Sequence, residues 1–122
     1  QQGQIFLHIG PLSGTYTGAS YDYVISGSTT SENFGYYTYN AGDINGDGAD
    51  ELVSKPSGNS NHNYLFYGPI TGDDESANYD AWFNTGSINS PYYYGLYPLG
   101  DLNNDGYGDF MSGAYWFFGE AL

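Results

Sequence analysis

Seven of the 14 acidic residues fall in two stretches, Asp43-Ile44-Asn45-Gly46-Asp47-Gly48-Ala49-Asp50-Glu51 and Asp101-Leu102-Asn103-Asn104-Asp105-Gly106-Tyr107-Gly108-Asp109. Each offers oxygen-bearing side chains at alternate positions: Asp43, Asn45 and Asp47 in the first, Asp101, Asn103 and Asp105 in the second. Gly48 and Gly106 stand sixth, where a sharp turn needs them, followed by the backbone carbonyls of Ala49 and Tyr107. Glu51 and Asp109 close each run at the ninth position. Hard oxygen donors spaced along a short turning loop suit calcium, whereas magnesium favours few protein ligands and strict octahedral geometry. Like charges crowded this way repel unless a cation neutralises them. A solvated Asp/Asn/Gly turn would explain one such stretch, but not two copies in the same pattern. The expectation is two Ca2+ sites per chain, with metal ligands Asp43, Asn45, Asp47, Ala49 and Glu51, and Asp101, Asn103, Asp105, Tyr107 and Asp109.

The flanks say which kind of loop this is. A helix-loop-helix calcium site needs an acidic residue at the twelfth position. Ser54 and Ser112 stand there, and Glu51-Leu52-Val53 and Asp109-Phe110-Met111 run on towards Pro or Gly rather than into helices. The helical class is excluded and strands are expected on both sides.

A shift of 58 residues carries Asp43 onto Asp101, Gly42 onto Gly100, Tyr39 onto Tyr97, and Ile9-Gly10-Pro11 onto Tyr67-Gly68-Pro69. Tyr115-Trp116-Phe117-Phe118-Gly119 matches Tyr64-Leu65-Phe66-Tyr67-Gly68 but arrives seven residues early, because the hairpin at Lys55 to His62 is missing from the second copy. Apolar residues alternate with polar ones, or form short Tyr/Phe runs bounded by turn residues, so each unit reads as four short strands. Strand one precedes the acidic loop (near 36–41 and 94–99) and strand two comes after it (near 51–54 and 109–112). Strand three lies near 5–9, 64–67 and 115–118, and strand four near 21–26 and 79–84. The chain is one segment, 1–122: strands three and four of a unit in 1–30, a complete unit at about 31–86, and an incomplete one at about 87–122. The expected class is all-β. Four-stranded antiparallel units at this period suggest β-propeller blades, about two per chain.

The run Gly42-Asp43-Ile44-Asn45-Gly46-Asp47-Gly48, then Leu52-Val53, then Tyr64-Leu65-Phe66-Tyr67-Gly68, resembles an FG-GAP repeat, as does Gly100 to Gly106 with Tyr115 to Gly119 after it. This is the repeat of integrin α-subunit propellers and of many bacterial secreted proteins. Phe34-Gly35 stands where the name-giving Phe-Gly would be. The resemblance implies a β-propeller with calcium between strands one and two of each blade. Glu51 departs from the commoner Asp, Tyr92-Tyr93 replace Phe-Gly in the second copy, and the chain holds too few blades for the family's ring. Closing a ring takes at least about four blades. Homo-oligomerisation is therefore expected, with the N-terminal strands able to complete a neighbour's unfinished blade.

The rest of the composition narrows function. Lys55 is the single basic residue against 14 acidic ones, for a net charge of −13. Nucleic acid and anionic lipid are disfavoured as partners, and no run is long enough for a membrane-spanning helix. With 15 Tyr, 7 Phe and 2 Trp the chain is too aromatic for a disordered acidic segment. There are no cysteines. His8 and His62 are isolated from any nucleophile, and Asp22 and Asp80, 58 apart, suit turn hydrogen bonding better than catalysis. The acidic run Gly72-Asp73-Asp74-Glu75 reads as a solvated turn. Tyr36-Tyr37-Thr38-Tyr39 and Tyr92-Tyr93-Tyr94 pack between blades or offer stacking surface to a sugar or protein. The expected role is an extracellular or cell-surface calcium-binding module in adhesion, binding or structure, not an enzyme. The alternative is a lectin-like propeller or part of a polysaccharide-acting enzyme.

Overall fold

The computed structural model describes residues 1–15, 17, 19–57, 62–84, 96–112 and 115–119. Ten strands succeed one another: β1 (Gln4–Leu7), β2 (Tyr23–Ser26), β3 (Tyr37–Gly42), β4 (Glu51–Lys55), β5 (His62–Phe66), β6 (Asp74–Glu75), β7 (Ala81–Asn84), β8 (Leu96–Gly100), β9 (Asp109–Ser112) and β10 (Tyr115–Phe117). Among the described residues the one helical element is a 3-10 turn at Ser76–Asn78. None of them forms a helix long and apolar enough to cross a membrane.

The middle of the chain builds a four-stranded antiparallel sheet in the order β3-β4-β5-β7. These are the four strands expected of the complete unit. β5 starts earlier than expected, at His62, because its first residues pair with Asn84 and Phe83 of the edge strand. β4 is buried on both sides, and Val53 and Ser54 are both inaccessible. A strand covered on one face would alternate; β4 does not, because a further sheet packs on each face.

Those sheets have three strands each, β1-β2-β6 and β10-β9-β8. On one face of the middle sheet Leu52 and Phe66 meet Ile5, Ile25 and Phe34. On the other, Val53 and Leu65 meet Leu96 and Phe110, with Phe83 and Phe117 against them. No sheet closes on itself among the described residues.

The 58-residue period reappears as geometry. Asp22 Oδ2 accepts the Ile9 N–H at 2.8 Å, and the Asp22 N–H donates to the Leu7 carbonyl at 2.9 Å. Asp80 does the same with Tyr67 at 2.7 Å and Leu65 at 2.9 Å. The Gly10-Pro11 and Gly68-Pro69 peptides are both cis. Phe6 and Tyr21 lie 4.8 Å apart between ring centres, and their counterparts Tyr64 and Tyr79 lie 4.9 Å apart.

One feature departs from the expectation and another adds to it. Gly72, Asp73 and Glu75 are exposed, as expected of a solvated run, but Asp74 and Glu75 form a strand and not a turn: β6 runs parallel to β2, while Asp73 Oδ1 accepts the Val24 N–H at 2.9 Å. The first sheet is therefore not purely antiparallel. Phe34-Gly35 proves to be a packing device. Phe34 is buried against Phe66, and Gly35 has φ +78°, with any Cβ there falling 2.8 Å from the Gln4 carbonyl oxygen.

Candidate metal-binding loops

Each acidic loop joins two antiparallel strands, β3 to β4 and β8 to β9. Entry to both is a β-bulge, where the register shifts between Asn40 and Gly42 and between Pro98 and Gly100. The two glycines take φ of +77° and +72°, which a β-carbon disfavours. Within the loops the fourth position is left-handed in both, at Gly46 and Asn104, and so is the sixth, at Gly48 and Gly106. Asn is the side chain that best tolerates that region, so the exchange of Gly46 for Asn104 preserves the backbone.

The side chains repeat their hydrogen bonds. Asp43 Oδ1 accepts the Asp47 N–H at 3.0 Å and Oδ2 the Gly48 N–H at 2.9 Å. Asp101 accepts from Asp105 at 3.0 Å and from Gly106 at 2.8 Å. Asn45 Oδ1 accepts the same Asp47 N–H at 2.9 Å, while its Nδ2 donates to Asp47 Oδ2 at 2.9 Å. Asn103 and Asp105 reproduce both bonds, at 3.2 and 2.8 Å. Asp47 and Asp105 accept the N–H of Ala49 and Tyr107. The residues at the first, third, fifth and seventh positions are thus gathered around one turn in each loop.

The ninth position behaves differently. Glu51 and Asp109 are each only 1% exposed. Glu51 accepts the Ile44 N–H at 2.7 Å and the Gly68 N–H at 3.4 Å. Asp109 accepts the Leu102 N–H at 2.8 Å and the Gly119 N–H at 3.0 Å. Each carboxylate therefore links its own loop to the end of the third strand. Burial pushes the Glu51 carboxyl above the usual carboxylate range, the two amides pull it back, and the Asp47 and Asp43 charges push it further up.

Neither loop stands alone. The Gly108 N–H of the second donates to the Asp43 carbonyl of the first at 2.8 Å. A Cβ on Gly108 would lie 2.5 Å from that oxygen, and one on Gly46 would meet the Tyr107 ring at 3.1 Å. Gly68 and Gly119 are equally constrained, with a Cβ falling 2.5 Å from the Asp50 carbonyl oxygen and 2.4 Å from that of Gly108. Both glycines were expected at strand ends. That they seat the strand against the loop was not legible, because the contact is between segments distant along the chain.

Among the described residues no group of three or more Asp, Glu or His side chains converges as a metal centre. The three carboxylates of each loop, Asp43, Asp47 and Glu51 and likewise Asp101, Asp105 and Asp109, are therefore not drawn together around one point, the ninth being turned to its two amides. The donor set is oxygen throughout and fits a hard cation. The amide bonds to Asp43, Asp47, Asp101 and Asp105 hold these carboxylates in place and leave further lone pairs on their oxygens.

Of the other candidates, Tyr36 is exposed and edge-on to Tyr37 at 4.8 Å, while Tyr39 packs into the core. Tyr92, Tyr93 and Tyr94 lie outside the described residues. The His62 ring lies 4.2 Å from that of Trp82 on the outer edge of the middle sheet. Asp22 and Asp80 serve their turns, as expected. No family model matches this chain, and no curated protein or solved structure matches it either.

Proposed function

We propose that this chain is a non-catalytic, calcium-stabilised module of FG-GAP type, built from blade-like β-units and working outside the cell in binding or adhesion. The observation that carries the reading is the bond-for-bond repetition of the two loops. A hydrogen-bonded turn could arise once from local sequence. Two copies with the same left-handed positions and the same buried ninth carboxylate argue for a common ligand requirement.

Calcium would be held by Asp43, Asn45, Asp47, the Ala49 carbonyl and Glu51, and by Asp101, Asn103, Asp105, the Tyr107 carbonyl and Asp109. It would neutralise clustered carboxylates and clamp β3 to β4 and β8 to β9. A cation there would also favour the charged form of Glu51, which burial opposes. Extracellular modules of this kind bind at about 10⁻⁴–10⁻³ M, a range that free calcium outside cells satisfies.

The test is thermal unfolding with calcium and with chelator. Calcium at tenfold above its dissociation constant stabilises by about 1.4 kcal/mol per site. The melting temperature should rise with calcium and fall with chelator, and the paired substitution Asp43→Asn with Asp101→Asn should remove most of the response. Identical melts in both conditions would sink the metal reading.

A second reading, binding of a neutral glycan, draws support from Trp82, which is 49% exposed beside His62 at the sheet edge. Glycan-array binding lost in Trp82→Ala would favour it. Turnover of a polysaccharide would instead place the chain with the enzymes.

A further inference from the structure

Three dipeptides in the acidic loops have the makings of a self-closing reaction: Asn45-Gly46, Asp47-Gly48 and Asp105-Gly106. In each, the glycine nitrogen lies within reach of the preceding side chain's Cγ, and a bond between them makes a cyclic succinimide. Glycine favours the attack because it has no Cβ to hinder it. Asn45-Gly46 is the single Asn-Gly pair of the chain. Its side chain is the better electrophile, since an amide is neutral and an ionised carboxylate repels a nucleophile until it is protonated.

The fold separates the three. The Gly48 N–H donates to Asp43 Oδ2 at 2.9 Å, and the Gly106 N–H to Asp101 Oδ2 at 2.8 Å. A carboxylate against an N–H opposes the loss of the proton that makes the nitrogen nucleophilic, so both Asp-Gly pairs are restrained. The Gly46 N–H makes no hydrogen bond among the described residues, and Gly46 is exposed to water. Asn45 Oδ1 accepts the Asp47 N–H at 2.9 Å, which turns the side chain along the chain towards Gly46 and draws electron density from Cγ. The departing group, Nδ2, donates to Asp47 Oδ2 at 2.9 Å. Asn103 makes the same two bonds in the second loop, but Asn104 follows it. Gly46 and Asn104 share the left-handed backbone, at φ +75° and +62°. At the attacking residue, the loops differ in whether a side chain stands over the nitrogen.

We propose that Asn45 is a site of spontaneous deamidation in the folded chain, with water as co-reactant, and that the second loop is spared. The Gly46 nitrogen gives its proton to hydroxide and bonds to Asn45 Cγ. The bond from Cγ to Nδ2 breaks, Nδ2 takes a proton from water, and ammonia leaves. Water then opens the ring. Addition at the side-chain carbonyl leaves an aspartate at position 45, and addition at the main-chain carbonyl leaves an isoaspartyl link. Either product exchanges the neutral amide that donates to Asp47 for a carboxylate, so a hydrogen bond gives way to like-charge repulsion. The isoaspartyl link also carries the main chain through Cβ, which lengthens the loop and ends the alternate spacing of Asp43, Asn45 and Asp47. The first loop is thus the one that ages. The inference rests on the loop's hydrogen bonds and not on calcium.

Peptide mapping by mass spectrometry, after incubation of the full chain in chelator at mildly alkaline pH, tests it. The peptide carrying Asn45 should gain the mass of deamidation, as aspartate and isoaspartate together, several-fold faster than the peptide carrying Asn103. Asp47 and Asp105 should stay unisomerised. Asn104→Gly should make Asn103 react as Asn45 does, and Gly46→Asn should silence Asn45. Circular dichroism checks that each sample is folded. Should Gly46→Asn unfold against the Tyr107 ring, which a Cβ there meets at 3.1 Å, Asn104→Gly carries the test. An Asn45 that reacts in urea but not in the folded chain would overturn the proposal. So would equal conversion of Asn45 and Asn103, an Asn103 unmoved by Asn104→Gly, or aspartate formed without isoaspartate, which signals direct hydrolysis. Melting in calcium and in chelator keeps the two proposals apart. Deamidation in a chain whose melt ignores calcium sinks only the metal reading, and an inert Asn45 in a chain that calcium stabilises sinks only this one.

Discussion

Asp109 carries a proposed role and an observed one that its position in the sequence does not separate. As the ninth residue of an oxygen-rich loop it reads as a metal ligand. In the fold it is also a buried acceptor for the Leu102 and Gly119 amides. Asp109→Ala should therefore destabilise the chain even in chelator, by about 1–3 kcal/mol for each donor left without a partner. Denaturant unfolding in chelator measures this. Asp109→Asn, which keeps an accepting oxygen but sets an amide against an N–H, should fall between. The alternate donors Asp43, Asn45 and Asp47 were legible because their spacing is local. The second role of Glu51 and Asp109 was not, because it depends on where Gly68 and Gly119 arrive after a further strand.

At the scale of elements, the loop turns could be read from the sequence, and so could nearly every strand; the bulges at Gly42 and Gly100 could not, since the repeat marks the two glycines without saying what they do. β6 could not: two acidic residues carry no alternation to recognise. Its importance lies in the turn it leads into. Ser76 is buried, and its Oγ accepts the Ser28 N–H at 2.8 Å and lies 2.9 Å from Glu32 Oε2. Together with the bond from Val24 to Asp73, this latches the first sheet to the turn beyond β5. Ser76→Ala should cost about 1–3 kcal/mol for the stranded polar partners, and hydrogen exchange should show faster opening of β1 and β2 than of β4. Uniform acceleration would mean that Ser76 supports the whole core and not this latch. Gly119→Ala is expected to be worse tolerated than a surface change, since its Cβ would fall within 3 Å of three atoms of the first and second loops; overpacking of this kind costs about 1–3 kcal/mol, readable in the same denaturant experiment.

For the molecule as a whole, the period fixed how many units there are but not how they stack. Covering of the middle sheet on both faces is evident from Val53 and Ser54 both being buried, which the run Glu51-Leu52-Val53-Ser54 does not announce. A net charge of −13 sets the folded chain against itself at low ionic strength. Raising salt to where the screening length is about 8–10 Å should therefore raise the melting temperature in chelator; an unchanged melt would mean that this repulsion contributes nothing to stability.

The bond from the Gly108 N–H to the Asp43 carbonyl crosses from one sheet to the next and ties the two acidic loops together. Each loop thereby senses whether its neighbour is ordered. If the loops take calcium as proposed, a cation that stiffened one loop would remove part of the ordering cost at the other, so the second ion would enter more easily than the first, and by linkage the effect would be equal in both directions. A calorimetric calcium titration should then be steeper than two independent sites allow. Gly108→Ala, whose methyl would push the Asp43 carbonyl away, should then return the titration to two separate events, so that the proposed sites would no longer answer calcium as one threshold.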